Sequence, residues 1–397
     1  VDNINILLIS IFAALATGGA VVAGQYIGHR DPDKACEAGE QLLVFAGLLS
    51  VVIMLIVYAG KWFILHVVFG KISPEVMEYA DTYLMIVTAS IPLLAVYNCG
   101  AALFRVQGNS SVSMKVSILM NLLNVVGNAI LIYGMHWGVE GVAIPTLLSR
   151  AVAAVVIVVL LRNQSLTLHI SRPFRYRYQG NMVRRILQIG IPNGVENSMF
   201  QLGKLVLLSM ISSLGTTAIA ANAVSNSIAA FAILPGQAIG LGMVTVVSQC
   251  VGARDYKQVK YYTGKLMKCT YAAMAVLNIL IICILPFLMQ IYHLSEATVQ
   301  VTRQILILHS VCAIVIWPLS FTFPNALRAA NDARYTMIVS MASMWICRIF
   351  FGFLFGKALG FGVLGVWIAM ILDWCVRCVF FIIRYYRGKW MEQNVLI

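Results

Sequence analysis

Long apolar runs, each closed by a few polar residues, succeed one another from one end of the chain to the other. The runs are about 20 residues or more and nearly free of charge, which predicts membrane-crossing helices and not the alternating ten-residue strands of a barrel. Eleven spans are expected, at 4–27, 40–60, 77–104, 113–134, 139–161, 186–212, 219–250, 265–291, 299–327, 335–356 and 361–384. The only long polar stretch lies at 164–182, where Arg and Tyr mix with Ser, His and Gln. It reads as a cytoplasmic linker between an N-terminal lobe, 1–163, and a C-terminal lobe, 183–397, about which the lobes could rock.

The ends of the runs repeat. Gln25, Gly28, Arg30 and Asp31 return as Gln249, Gly252, Arg254 and Asp255, 224 residues on. Arg105, Asn109 and Met114 return as Arg328, Asp332 and Met337 at 223, and Gly138 and Gly141 as Gly362 and Gly365 at 224. A spacing this constant marks a duplicated unit. Six spans separate the loop after Asp31 from the loop after Asp255, an even number, so the copies run parallel about an axis along the membrane normal. The span at 186–212 precedes the second copy's Gln-x-x-Gly span, and its counterpart would fall before residue 1. The expected fold is an all-α integral membrane protein of two parallel repeated six-helix lobes, with eleven spans present and the first helix missing from this chain.

Composition agrees with the runs: 60% of residues are hydrophobic and 11% charged, against roughly 25% charged in soluble domains. The net charge of +13 would suggest nucleic acid in a soluble protein, but here its distribution decides. Arg30, Lys34, Arg105, Lys115, Arg162, Arg172, Arg175, Arg177, Arg184, Arg185, Arg254, Arg328, Arg384 and Arg387 fall in one set of alternate loops. The opposite set has little beyond Lys61, Lys71 and Lys357. By the positive-inside rule the chain is a multi-pass protein of the cell (inner or plasma) membrane, its C-terminus cytoplasmic and Val1 outside. The basic loops report orientation, not a nucleic-acid partner.

Nine cysteines lie mostly within apolar runs, and the CxxC spacing of Cys375 and Cys378 falls inside a span, so neither metal nor redox chemistry is read there. No signal peptide, phosphate-binding glycine loop or nucleophile triad is visible. The chain reads as no enzyme, without cofactor or metal. An ion gradient is its default energy source.

Charges and amides inside the spans carry the chemistry. Glu196, Phe200 and Lys204 share one helical face, flanked by Asn193, Asn197 and Gln201. Glu196 and Lys204 stand roughly 12 Å apart along the axis, too far for a tight pair. Each needs another partner or a water-filled cavity, because an unpaired charge at mid-membrane costs several kcal/mol. Glu196 is thus a candidate to load and unload a proton or cation, the alternative being a buried structural pair. Asp373 and Arg377, at i and i+4, suit an intrahelical pair. Arg348 and Arg150 near span centres would neutralise an acid or cap carbonyls. His309 is a candidate proton group or a hydrogen-bond fastener. Asn121, Asn124 and Asn128 line one face, either toward substrate or bonding between helices. Pro92, Pro145, Pro192, Pro235, Pro318 and Pro324 interrupt spans, and glycines at 18–19 and 236–242 offer paired weak points or close packing.

Together these stretches resemble the multidrug and toxin extrusion (MATE) family, within the larger group that holds lipid-linked oligosaccharide flippases. The likeness covers essentially the whole chain, on Gln25 to Asp31 and its repeat, Leu103 to Asn109, Leu123 to Gly134 and Gly138 to Ala143. It implies two six-helix lobes and export of cationic or amphipathic compounds against inward sodium ions or protons. Two departures stand out. The family's first helix, which often bears an acid of the N-terminal coupling site, is absent, and Asn128 stands where many members have Asp. The acid near the start of the family's seventh helix is similar in place to Glu196, about one turn out of register with sodium-type members.

The resulting expectation is a monomeric, cation-coupled antiporter that exports amphipathic or cationic drugs and toxins by alternating access. Glu196, Asp373 and His309 would couple the ion, with Lys204, Arg348 and Arg377 tuning them. Gln201, Asn197, Asn121, Asn124 and Asn128 would line the substrate path. Small substrates and membrane lipid are the expected partners. The alternative is a flippase for lipid-linked oligosaccharide or peptidoglycan precursor, whose pyrophosphate would want Lys204, Arg348, Arg377 and Arg150. A channel would need a continuous polar pore across many helices.

Overall fold

Backbone amides in hydrocarbon find no water, so apolar runs of this length close their hydrogen bonds within helices. Every element of the computed structural model is helical among the residues described, 2–68, 73–171, 176–292 and 294–392. Val1, Lys71, Arg172 and Arg175, together with the centre of the 164–182 segment, lie outside the described residues.

The chain divides into two compact units, Val1–Gly194 and Val195–Leu396. The first holds α1 (Asp2–Gly28), α2 (Pro32–Ala59), α3 (Pro74–Ala89), α4 (Ile91–Val106), α5 (Ser110–Ala129), α6 (Glu140–Leu161) and the start of α7 (Gly180–Ser212). The second holds the rest of α7, α8 (Thr216–Ala232), α9 (Leu234–Gly252), α10 (Tyr256–Ile291), α11 (Glu296–Val315), α12 (Ala333–Ser343) and α13 (Gly362–Tyr386). In the first unit α4 packs against α1, α2 and α6. Gly100 permits this approach, since a Cβ there would stand 2.9 Å from the Ile157 side chain. In the second, Trp317, Met344, Trp367 and Trp374 form the heart of the core.

Among the described residues ten stretches are long and apolar enough to cross a membrane. The expected span at 186–212 is helical throughout but is not among the ten; Glu196, Lys204 and their neighbouring amides make it too polar. The expected single span at 219–250 is two helices, α8 and α9, broken at Ile233 because Pro235 lacks the N–H that a continuous helix would need.

The duplication is visible in the backbone. Arg30 and Arg254, 224 apart, both hold positive φ, 62° and 56°, and each is followed by an aspartate N-cap. Asp31 Oδ1 accepts from the Lys34 amide at 3.1 Å, and Asp255 Oδ1 from the Gln258 amide at 3.0 Å. The amides of Asp31 and Asp255 reach back to the carbonyls of Tyr26 and Cys250, closing both helices with the same left-handed motif. Gly108 and Asn331 repeat that motif 223 apart, and π-helical turns at Ile130–Gly134 and Leu354–Ala358 lie 224 apart.

Of the glycines expected as weak points or packing surfaces, Gly18, Gly19, Gly236 and Gly240 sit in close packing, while Gly242 faces open space. A Cβ on Gly18 would fall 2.6 Å from the Ile186 carbonyl oxygen, and one on Gly236 would fall 2.1 Å from the Trp317 ring. Helix α1 runs unbroken through Gly18 and Gly19. The break between α3 and α4, before Pro92, is held by Arg150, whose Nη1 donates to Ser90 Oγ at 2.7 Å. Ser90 in turn donates to the Val87 carbonyl at 2.6 Å, so this cation serves freed backbone.

Both described ends of the 164–182 segment are tied to the first unit. Glu40 accepts from the Ser171 amide at 2.8 Å, and Gln41 donates to the Arg177 carbonyl at 2.6 Å while accepting from the Tyr176 hydroxyl. The division between units falls further on, inside α7 beside Pro192 and Gly194.

Candidate functional site

Glu196 lies in the part of α7 that belongs to the second unit, 7% exposed. Its partner is Arg328, from the one-turn helix Pro324–Ala329, whose Nη2 donates to Glu196 Oε1 at 2.7 Å. Arg328 Nη1 donates to Asn325 Oδ1 at 2.9 Å. Gly240 of α9 leaves room for that asparagine, since a Cβ there would sit 2.7 Å from Asn325 Nδ2. Glu196 Oε2 has no hydrogen-bond partner among the described residues. The carboxylate is thus neutralised on one oxygen and open on the other, which lets it accept a proton or a small cation.

Asp373 is fully buried near the middle of α13 and accepts from Arg377 Nε at 2.8 Å, one turn on. Arg377 also donates to Ser343 Oγ at 3.0 Å and the Ser340 carbonyl at 3.1 Å, which fastens α13 to α12. Asp373 Oδ2, like Glu196 Oε2, has no partner among the described residues. His309 of α11 is 3% exposed and stands edge-on to Trp367 and Trp374, at 5.6 and 5.4 Å between ring centroids. Its Nδ1 is without a described partner.

Lys204 and Arg348 do not pair with either acid within 4 Å. They meet instead at the Phe200 ring, with Arg348 in a π-helical stretch, Met344–Phe350, that continues α12. Such stretches turn side chains out of the ordinary helical register and recur at functional sites. Asn197 and Gln201 are half-buried on the same face of α7. Glu196, Gln201, Lys204, Arg348, Asp373, Arg377 and His309 all belong to the second unit.

The first unit's candidates are amides. Asn124 donates to Thr146 Oγ1 of α6 at 3.0 Å, and Asn128 donates to Asn124 Oδ1 at 3.3 Å. Asn128 Oδ1 is left without a described partner, and Asn121 is exposed. The pair at Asn124 bonds between helices, as one of the two sequence readings has it.

Two features were not read from the sequence as functional. Arg328 reads only as a repeat residue and a basic loop residue, and the acid nearest to it in sequence, Asp332 at i+4, pairs with Arg384 instead. Asp332 was likewise only a repeat residue, yet its carboxylate receives Arg384 through both Nε and Nη2, at 2.7 and 3.1 Å. Burial pushes the Asp332 carboxyl above the usual carboxylate range, with Arg384 pulling the other way. The signal available was Asp332 standing where the first copy has Asn109.

The MatE family model matches residues 1–130 and 192–354, two stretches whose ends are 224 apart like the repeat. The uncharacterized transporter YisQ of Bacillus subtilis is 27% identical over 395 residues, covering 98% of this chain and 86% of YisQ. The probable multidrug resistance protein YoeA of the same organism is 22% identical, covering 98% of this chain and 84% of YoeA. A multidrug resistance MATE family transporter of the MOP superfamily, solved in an outward-facing conformation, overlays with a TM-score of 0.91 at 19% identity over 98% of this chain and 87% of that one.

Proposed function

The chain belongs to the MatE family of multi-pass membrane transporters, which are not enzymes, and on that premise we propose that it exports small amphipathic compounds in exchange for inward sodium ions or protons. Multidrug resistance in the relatives' names supports the substrate class. The single observation that carries the coupling is Glu196: a buried carboxylate with one oxygen on Arg328 and the other unpartnered among the described residues. Taking up a proton or sodium ion there weakens the hold on Arg328, and releasing it restores the pair. Asp373 is the second coupling candidate and His309 the third. Asn197 and Gln201 line the substrate path in this reading, and the charge asymmetry of the loops supports a cytoplasmic C-terminus. Alternate exposure of the site follows from motion of the repeated units, as in other transporters built from repeats.

The test is gradient-driven movement of fluorescent amphipathic compounds, a cation and a carboxylate in separate assays, in proteoliposomes under an imposed sodium or proton gradient. Movement that follows one of the gradients is the expected result, and equal flux with and without either gradient contradicts antiport. One observation favours the flippase reading: the second unit has more cations than acids around Phe200. A fluorescent pyrophosphate-linked lipid scrambled by the same liposomes, with no movement of the soluble compounds, would establish it.

A further inference from the structure

Three cations of the second unit converge on one aromatic ring. Lys204 Nζ lies 4.8 Å from the Phe200 centroid, and the guanidinium carbons of Arg348 and Arg377 lie 5.2 and 5.8 Å from it. Arg348 stands close enough to Lys204, His309, Asp373 and Arg377 to interact electrostatically with each. One carboxylate, Asp373, faces this group, and it is held by Arg377. Glu196 is held by Arg328. Among the described residues no carboxylate lies within 4 Å of Lys204 or Arg348.

Cations buried at span depth call for a counter-charge, and here the protein supplies fewer than it has cations. Arg348 is 8% exposed, and its Nε has no described hydrogen-bond partner. The Phe200 face attracts a guanidinium but cannot accept from its N–H edge. That edge is a fork of donors matched to two oxygens of a carboxylate or phosphate. Lys204, in contrast, is exposed, so the cluster grades from a reachable ammonium to a buried guanidinium. An apolar wall continues from it: Phe200 stands edge-on to Phe321 at 6.3 Å, and Phe321 stacks on Trp317 at 5.1 Å.

We propose that this cluster binds the anionic group of an amphipathic organic anion, a carboxylate or phosphate ester on an apolar body. Arg348 takes two of its oxygens, Lys204 draws the charge in from the exposed side, and the Phe200 and Phe321 rings receive the body. Amphipathic cations are repelled from this place by Lys204 and Arg348, the two cations that no carboxylate holds. The proposal deepens the transport reading by naming a substrate class, and it rests on that reading only for the translocation of the bound anion.

Binding is measurable without any gradient, so its outcome is separate from that of transport. The full chain in phosphatidylcholine nanodiscs is titrated calorimetrically with 2-naphthoate, with 2-naphthylmethylammonium, and with inorganic phosphate. The expected result is naphthoate binding at least tenfold tighter than either of the others, weakened tenfold or more by Arg348→Gln, about threefold by Lys204→Gln, and only partly recovered in Arg348→Lys, which keeps the charge but not the fork. Naphthoate binding lost on replacing the lipid with phosphatidylglycerol, at a salt concentration that screens the bilayer charge, supports the same anion site with the anionic lipid as its competing occupant. Naphthoate affinity unchanged in Lys204→Gln and Arg348→Gln, or an ammonium probe that binds as tightly as naphthoate, overturns the proposal. Should Arg348→Gln not fold, the exposed Lys204→Gln decides alone.

Discussion

Arg105 and Arg328 occupy one place in the two copies, three residues before a left-handed turn at Gly108 or Asn331, yet they serve different partners. Arg105 donates to the neutral Ser113 hydroxyl at 3.4 Å, whereas Arg328 holds the Glu196 carboxylate at 2.7 Å. The contrast recurs at four other aligned positions. Asn109 aligns with Asp332, Ser149 with Asp373, Ala153 with Arg377 and Leu160 with Arg384, at offsets of 223 or 224. The backbone turns were kept in both copies because they close helices, which is the same task on either side. The charges were not needed for that task, and at these four aligned positions they stand in the second copy alone.

This contrast can be broken at several depths, beginning with the largest effect. Removing one member of a buried pair strands the other, so Arg377→Ala or Arg328→Ala is expected to cost about 3–5 kcal/mol. The double change Asp373→Asn with Arg377→Gln should cost clearly less. Thermal unfolding of the detergent-solubilised protein checks both, and a double variant as unstable as Arg377→Ala would show that packing and not charge is at stake. Next come two tightly packed glycines, one in each copy but not at aligned positions. Gly18→Ala meets the backbone of α7 and Gly236→Ala meets the Trp317 ring, and each overpacking is expected to cost about 1–3 kcal/mol.

The paired caps should match each other. Asp31→Ala and Asp255→Ala each lose one side-chain bond to a backbone amide, worth about 1 kcal/mol. The Lys34 amide and ammonium hold the Asp31 carboxyl below its ordinary range. The folded value being the lower, this cap stabilises above the unfolded carboxylate range and is lost as pH falls through the folded value. Local hydrogen exchange at the start of α2 should accelerate only at such acid pH. The smallest effect belongs to the neutral side: Asn124→Ala removes the bond to Thr146 and should cost about 0.6 kcal/mol, typical of amides between membrane helices.

The apolar runs made the helices legible, and the constant spacing of the repeat made the duplication legible, because both are properties of consecutive residues. The break at Ile233 was visible only as Pro235, since a proline in a membrane helix can either kink or end it. The Asp373 and Arg377 pair was legible because i and i+4 meet on any helix. The Glu196 partner was not. It lies 132 residues away, and a sequence with many arginines at membrane edges gives no sign of which one turns inward. The expectation that Lys204 and Arg348 tune the acids rested on their sharing a depth in the membrane. In the structure both sit over the Phe200 ring without pairing directly with an acid, and Arg348 stands near enough to Asp373 and His309 to act on them electrostatically.

The most direct test of the account is ion-driven efflux in proteoliposomes holding wild type and Glu196→Gln side by side, with folding of both verified by thermal unfolding. Glutamine keeps the shape and one acceptor for Arg328 but cannot exchange a proton or bind a cation by charge. The account predicts that wild type moves substrate along the imposed gradient and that the folded Glu196→Gln variant loses at least nine-tenths of that movement while still binding substrate. A folded variant that transports at the wild-type rate under the same gradient would contradict it.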